Sequence, residues 1–168
     1  MSSNSISKVL EIDNCKTDVL IEALYTASFW EEISPVSEIK ADFPAPNVLY
    51  TELRENVGII KFPIEMAGEL VLMDKGEEPG KGRLIEFNVR NNKDIRKLEG
   101  NLRIKQVSPQ KAKIGVFIHA FDLESDFLNL IGKRTSEFLL RTKLSDFLRN
   151  VEKACKAGDL SKFISLGM

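Results

Sequence analysis

Residues that build metal sites and disulfide frameworks are scarce in this 168-residue sequence, which holds one histidine and two cysteines. Cys15 and Cys155 lie near opposite ends of the chain, and neither has a second cysteine close to it in sequence. Together with His119 they do not form a credible zinc-binding set. A chain of this length buries enough apolar surface to fold without such supports. We therefore expect no metal, no cofactor and two buried thiols.

The sequence also lacks a long apolar run and an excess of charge of one sign. No segment approaches the roughly 20 apolar residues that span a bilayer, and the first residues lack the apolar core of a signal peptide. These absences predict a cytoplasmic protein without stable membrane insertion. With 24 Lys+Arg against 25 Asp+Glu and 43% hydrophobic residues, a disordered acidic chain is excluded. We expect one globular domain over residues 1–168.

Glutamine is scarce as well. Two glutamines stand against 16 lysines and 16 glutamates, a balance that favours a thermophilic source, archaea included. Intracellular disulfides occur in such sources, so pairing of Cys15 with Cys155 is an open alternative to two free thiols.

Charge is separated along the chain although it sums to nearly zero. Residues 11–55 hold ten acids and three bases, whereas residues 81–113 hold ten bases and three acids. Such separation can steer an anionic partner, or it can simply solvate strand faces and turns. The basic side chains of Lys97, Arg103 and Lys105 have no aromatic residues interleaved on their predicted face. Stacking of bases then has no platform, and we do not predict nucleic-acid binding.

The N-terminal part of the sequence predicts a strand followed by two short helices. Apolar residues alternate over residues 6–12, which is typical of a strand. Thr17 and Asp18 are suitable N-cap residues before an apolar helical stripe. A second helical turn over residues 28–33 ends before Pro35, because the residue preceding a proline avoids helical geometry.

From residue 36 to residue 122 the apolar pattern has a period of two and is broken by turn residues, which predicts an antiparallel meander. Its last strand is apolar on both faces, with Ile118 and its neighbours on one face and Phe117 and His119 on the other. A helix of about 30 residues is predicted over residues 125–156, about 45 Å long. A short tail, residues 157–168, follows it.

This order of elements resembles the helix-grip fold of the START-like superfamily, also called SRPBCC. Residues 18–39, with the segment SFWEEISPV, are similar to that family's paired short helices. Residues 111–155 are similar to its last strand and terminal helix. Polyketide cyclases, coenzyme Q-binding proteins and carbon monoxide dehydrogenase accessory proteins are members. The resemblance implies an α+β fold in which a curved antiparallel sheet of six to eight strands wraps around a long C-terminal helix.

The resemblance also implies a ligand cavity between the sheet and that helix. The candidate residues to line it are large or polar side chains of the predicted inner surfaces: Trp30, Tyr50, Phe62, Met66, Phe87, Leu102, Phe117, His119, Ile131, Thr135 and Phe138. Apolar pockets with a few polar anchors are the usual form of small-molecule sites. The alternative is that the same side chains interdigitate as a closed core.

Three functions are compatible with the predicted fold. We favour binding of a hydrophobic small molecule of the lipid, quinone or isoprenoid class, with no catalytic residue. A cyclase-like or isomerase-like enzyme would use the same cavity and would depend on His119, Tyr50, Thr135 and Thr142. An accessory or chaperone-like protein would instead form a homodimer or engage a protein partner through the C-terminal tail.

Overall fold

The structure is a computed structural model that describes residues 6–34, 36, 38–57, 62–124 and 132–156. Side chains are described in these ranges except at 55–57, 62–66, 133 and 156. Within the described ranges there are seven strands and three helices, in chain order β1 (Ile6–Asp13), α1 (Thr17–Ala23), α2 (Ala27–Ile33), β2 (Glu38–Ala45), β3 (Val48–Val57), β4 (Phe62–Glu78), β5 (Gly82–Arg90), β6 (Ile95–Ser108), β7 (Lys111–Leu123) and α3 (Lys133–Lys156).

All seven strands form one antiparallel sheet in the order β1-β7-β6-β5-β4-β3-β2. The predicted α+β helix-grip fold is confirmed: the sheet is curved, two short helices follow β1, and the C-terminal helix α3 packs against the sheet. The last strand of the meander, β7, is not an edge strand, because it pairs with β1 on one side and β6 on the other. Within the described residues, no helix is long and apolar enough to cross a membrane.

The inner face of the sheet is the face that packs against the helices. Its central positions are buried and belong to one core with α1, α2 and the second half of α3. The strand period of two then assigns the remaining residues to the inner or the outer face. Ile85, Phe87, Leu102 and Ile114 are examples of inner residues.

A β-bulge in β7 changes which residues face inward. Glu99 of β6 pairs with Ala120 and Gly100 pairs with Ile118, so His119 is the extra residue. An extra residue shifts the alternation by one position. Ile118 therefore faces inward before the bulge, and Phe121 contacts the core after it.

The described part of the predicted C-terminal helix is α3, which begins at Lys133. Residues 125–131 of the predicted helix lie outside the described residues, as does the tail 157–168. Over 24 residues the helix is about 36 Å long. Its buried stripe repeats at spacings of three and four along its whole length, and consists of Ser136, Leu140, Leu144, Leu148, Val151 and Cys155.

Predicted inner positions in the first turns of α3 are wrong. Thr135, Phe138 and Thr142 are exposed. The physical reason is that an uninterrupted helix presents one face to the core along its whole length. Leu144 and Leu148 are buried, so the inward-facing residues of the earlier turns lie three or four positions before them.

The start of α1 is held by a distant strand as well as by Asp18, a predicted cap residue whose Oδ1 accepts a hydrogen bond from the N–H of Val19 at 2.9 Å. Lys16 occupies the N-cap position without a side-chain hydrogen bond. The backbone N–H of Thr17 instead donates to Oε1 of Gln106 in β6, at 2.9 Å. At the other edge of the sheet, the backbone N–H of Ala41 in β2 donates to the carboxylate of Glu31 in α2, at 2.9 Å.

Candidate functional site

The space between the inner face of the sheet and α3 is called the grip below. One end of it is closed by direct packing of side chains. The Trp30 ring stacks on Phe147 of α3 with centroids 5.8 Å apart, and its Nε1–H donates to the carbonyl of Leu24 at 2.6 Å. Nδ2 of Asn150 donates to the carbonyl of Ile33 at 3.0 Å. Side chains of both short helices and of the second half of α3 therefore fill this end.

The opposite end is open, and it is the candidate ligand site. Its inner-face residues are apolar but only half-buried, among them Leu70, Val89, Leu98 and Phe121. In the first half of α3, Phe138 is 68% exposed. Apolar side chains that a fold brings together without covering them form a surface that favours an apolar guest.

Glycine shapes the floor of this open end. A Cβ on Gly100 would lie 2.9 Å from Cζ of Phe87 and 2.1 Å from the carbonyl oxygen of Phe117. The Phe87 ring therefore lies across Gly100, and β6 approaches β7 more closely than a side chain would allow.

A polar group lies at the rim of the same floor. A Cβ on Gly68 would lie 2.8 Å from Nδ2 of Asn92, so the Asn92 amide covers this glycine. Oδ1 of Asn92 accepts hydrogen bonds from the N–H groups of Asp94 and Ile95 at 2.9 and 3.0 Å. These bonds fix the side chain and direct its NH₂ group over the inner face. We did not predict a role for Asn92, which the sequence marks only as a turn residue.

Three of the predicted site residues lie on the inner surface. Trp30, Phe87 and Leu102 are buried in the core. Trp30 belongs to the closed end because Phe147 covers it. Phe87, with Leu102 two positions from Gly100 on β6, borders the open end.

Three others lie on the outer face, contrary to the prediction. Tyr50 alternates with the buried Leu49, and its hydroxyl donates to Glu52 at 2.9 Å. That hydrogen bond and burial raise the pKa of the Tyr50 hydroxyl. Phe117 is 38% exposed, and Nε2 of His119 lies 3.7 Å from Glu99. For Phe117 and His119 the physical reason is that β7 is apolar on both faces, so its residue types do not show which set of side chains turns inward.

The remaining predicted site residues fall on α3 or outside the described side chains. Thr135 and Phe138 are exposed on α3. The side chains of Phe62 and Met66 and the whole of Ile131 lie outside the described residues.

A separate open depression of about 950 Å³ lies where β2, β3 and β4 meet the loop after β5. Most of its lining is charged, and the signs are mixed. It is formed by Glu31, Val36, Glu38, Ile39, Lys40, Tyr50, Glu52, Leu53, Arg54, Ala67 and Lys93. Such a lining does not match the apolar ligand that the sequence predicts.

Titratable groups near the sheet form ion pairs. Arg83 donates to both carboxylate oxygens of Asp74, at 2.6 to 3.0 Å, and this lowers the pKa of Asp74. Glu69 accepts from Arg90 at 2.8 Å and from Asn91 at 2.9 Å, which lowers the pKa of Glu69. Across the part of the chain that is described, no group of three His, Cys, Asp or Glu side chains is placed to hold a metal ion.

The strand order, the paired short helices and the packing of α3 define a helix-grip fold, like that of START superfamily proteins. A START superfamily protein from Mycobacterium smegmatis matches 93% of this chain and 99% of its own, with a TM-score of 0.65 and 11% identity. The Zhui aromatase/cyclase from Streptomyces sp. R1128 matches 92% and 94%, with a TM-score of 0.65 and 10% identity.

Norcoclaurine synthase from Thalictrum flavum, solved with dopamine and hydroxybenzaldehyde, also has this fold. It matches 90% of this chain and 86% of its own, with a TM-score of 0.58 and 11% identity. No family model and no curated protein sequence matches the chain. At these identities the likeness establishes the fold alone.

Proposed function

We propose that the protein binds a hydrophobic small molecule at the open end of the grip, between the inner face of the sheet and the first half of α3. The observation that carries this proposal is the half-burial of Leu70, Leu98 and Phe121 beside a fully closed core. Apolar area that a ligand removes from water contributes roughly 25 cal/mol per Å². Several half-buried side chains on one concave face therefore favour an apolar guest over water.

The ligand class that fits is a molecule with a long apolar body and few polar groups, such as a lipid, a quinone or an isoprenoid. Apolar residues dominate the floor, and Asn92 supplies a fixed NH₂ donor at its rim. One donor suits one carbonyl or hydroxyl oxygen on the ligand. The neighbours named above support a role in binding organic molecules, since one was solved with two aromatic compounds.

An enzyme in the same site has less support. The four polar groups that the enzyme alternative requires are Tyr50, His119, Thr135 and Thr142. The first two lie on the outer face, and the two threonines are exposed on α3. General acid or base catalysis requires a group within hydrogen-bond reach of the bound substrate. None of these four is placed at the half-buried floor.

The accessory or chaperone-like alternative depends on the C-terminal tail, residues 157–168, which lies outside the described residues. It stays a prediction of the sequence, tested by deleting the tail and measuring partner capture.

A matched pair of tryptophan substitutions tests the proposed site. The uncharged dye N-phenyl-1-naphthylamine, whose fluorescence rises in apolar surroundings, serves as the probe. Leu70→Trp adds bulk on the floor, whereas Val71→Trp adds the same bulk one residue away on the outer face. We expect Leu70→Trp to weaken dye binding about tenfold, through loss of roughly 1.4 kcal/mol of apolar contact. Val71→Trp should bind as the unaltered protein does.

Two results would reject the proposal: equal binding by both variants, or no dye binding by the unaltered protein. Competition of the dye by a fatty acid, by decylubiquinone and by farnesol then separates the three ligand classes. Native mass spectrometry of the purified protein would show directly whether an apolar molecule accompanies it.

A further inference from the structure

A second concave surface lies on the outer face of the sheet, on the side opposite the helices. It is a groove of about 290 Å³ bounded by β1, β6, β7 and the turn between β4 and β5. Val9, Gly115 and Phe117 form an apolar floor, and Gly80 belongs to one wall. This volume holds roughly one ring system with a small substituent, near the lower limit of small-molecule pockets.

The floor offers an aromatic surface. A Cβ on Gly115 would lie 2.9 Å from Cε2 and 3.1 Å from Cζ of Phe117, so the Phe117 ring lies against the glycine. Phe117 is nevertheless 38% exposed and the neighbouring Val9 is 46% exposed. A ring that contacts the backbone through one part and solvent through another is available for stacking.

The walls of the groove are basic. Lys81, Arg103, Lys105 and Lys113 all line it. Glu78 pairs with two of them, at 2.9 Å from Nη1 of Arg103 and 4.0 Å from Nζ of Lys81. One carboxylate therefore faces two cations, and the groove keeps an excess of positive charge.

The other two cations stand directly opposite each other. Lys105 of β6 pairs in register with Lys113 of β7, which on its other side pairs in register with Glu11 of β1. Like charges at opposed positions on one face of a sheet repel and destabilise the pair. Among the described residues neither lysine has an ion-pair partner. An anion between them would remove this repulsion, and the basic block of residues 81–113 supplies the field that attracts it.

We propose that this outer groove binds a small planar organic anion, with its aromatic ring stacked on Phe117 and its phosphate or carboxylate group between Lys105 and Lys113. The mixture of an aromatic floor and basic walls matches both parts of such a ligand. The site is independent of the grip, because the sheet itself separates the two.

Titration followed by two-dimensional NMR of the ¹⁵N-labelled chain tests this proposal with three probes. Phenyl phosphate carries both the ring and the charge, benzyl alcohol carries the ring, and inorganic phosphate carries the charge. We expect phenyl phosphate to shift the amide signals of Gly115 and Phe117 at lower concentration than either partial probe. Added salt should weaken the binding, because it screens the lysines.

Charge reversal provides the matched variants. Lys113→Glu should weaken phenyl phosphate binding by about tenfold or more, the usual scale for losing a hydrogen bond to a charged group. Lys97→Glu makes the same change of net charge on the outer face away from the groove, and it should leave the affinity unchanged. Phe117→Leu keeps the glycine covered but removes the ring, and it should reduce the preference for phenyl phosphate over inorganic phosphate.

Four results would overturn the proposal. They are equal affinity for phenyl phosphate and inorganic phosphate, equal weakening by the two charge reversals, ligand shifts at the inner-face residues in place of the groove, and concentration-dependent shifts of the groove signals without ligand. The last would identify a second copy of the chain as the occupant.

Discussion

The Sγ atoms of Cys15 and Cys155 lie 2.6 Å apart although 140 residues separate them in the chain. Both thiols are buried. Their contact joins the segment after β1 to the last turn of α3. The hydrogen bond with Cys15 and burial raise the pKa of the Cys155 thiol, so this thiol stays protonated and reacts slowly.

Oxidation should convert this contact into a disulfide. With diamide as the oxidant, two thiols give up two protons and two electrons to the azo bond, and one S–S bond forms. We expect an intramolecular product lighter by two hydrogens in intact mass spectrometry. Because the closed loop is long, the chain-entropy model gives a stabilisation of up to about 5 kcal/mol, measured as a higher guanidinium midpoint.

The Cys155→Ser variant is the control for this oxidation. It should show neither the mass loss nor the raised midpoint on treatment with diamide. Disulfide-linked dimers of the unaltered protein, with no intramolecular product, would contradict the observed pairing.

Trp30 should be more sensitive to substitution than its ring contact alone suggests. Trp30→Phe keeps the stacking on Phe147 but leaves the buried carbonyl of Leu24 without its indole donor. We expect a loss of about 1–3 kcal/mol in the free energy of unfolding, measured with urea. Phe147→Leu keeps the hydrogen bond and should cost less. A neutral Trp30→Phe variant would show that the carbonyl is satisfied in another way.

Gly100→Ala should disrupt the sheet beneath the proposed site. The added Cβ would lie 2.1 Å from a backbone oxygen of Phe117, which cannot move without separating β6 from β7. We expect a loss of about 1–3 kcal/mol or more. Gly115→Ala is the matched control, since its obstacles are the Phe117 ring and a methyl group of Val9, which can rotate aside. Equal thermal stability of the two variants would contradict this interpretation.

Asp74 should make part of the stability depend on acid pH. Hydrogen bonds from Arg83 lower the folded-state pKa of this carboxyl below its unfolded value of about 3.9. Its contribution is therefore complete above the unfolded pKa and is lost as the pH falls through the lower folded pKa. Asp74→Asn should lower the stability at neutral pH and flatten its decline below about pH 4.

A double-mutant cycle provides the control for Asp74. In an Arg83→Gln background, Asp74→Asn should have little further effect on the acid dependence measured by urea unfolding. An unchanged effect in that background would assign the pKa shift to another group.

The order of strands and helices could be predicted from the sequence, because the polar and apolar pattern of each segment is typical of only one of the two element types. The alternation of polar and apolar residues in β5 agrees with the structure, in which Ile85 and Phe87 lie on the face opposite Glu86. The break before Pro35 likewise marks the end of α2 at Ile33. Periodicity is reliable where polar and apolar residues alternate cleanly.

The faces of β7 and the first turns of α3 could not be predicted in the same way. Phe117 and Ile118 are both apolar, so only pairing with β1 and β6 decides which of them turns inward. The bulge at His119 then reverses the alternation without any sequence signal. On α3, Phe138 was predicted to line the cavity, but the burial of Leu144 fixes the orientation of the helix and leaves Phe138 exposed. The position of Asn92 depends on Gly68 of β4, because a side chain there would collide with the Asn92 amide.

The hydrogen bond between Ala41 and Glu31 also affects how molecules of this protein meet one another. β2 is an edge strand of eight residues, and a free edge can recruit extended chains from other molecules. Glu31 occupies one N–H group that such a chain would need, and Pro44 has no N–H to offer. The side chains of Lys40 and Asp42 add charge to the same strand. This edge is therefore protected against strand-to-strand aggregation even though the sheet is open.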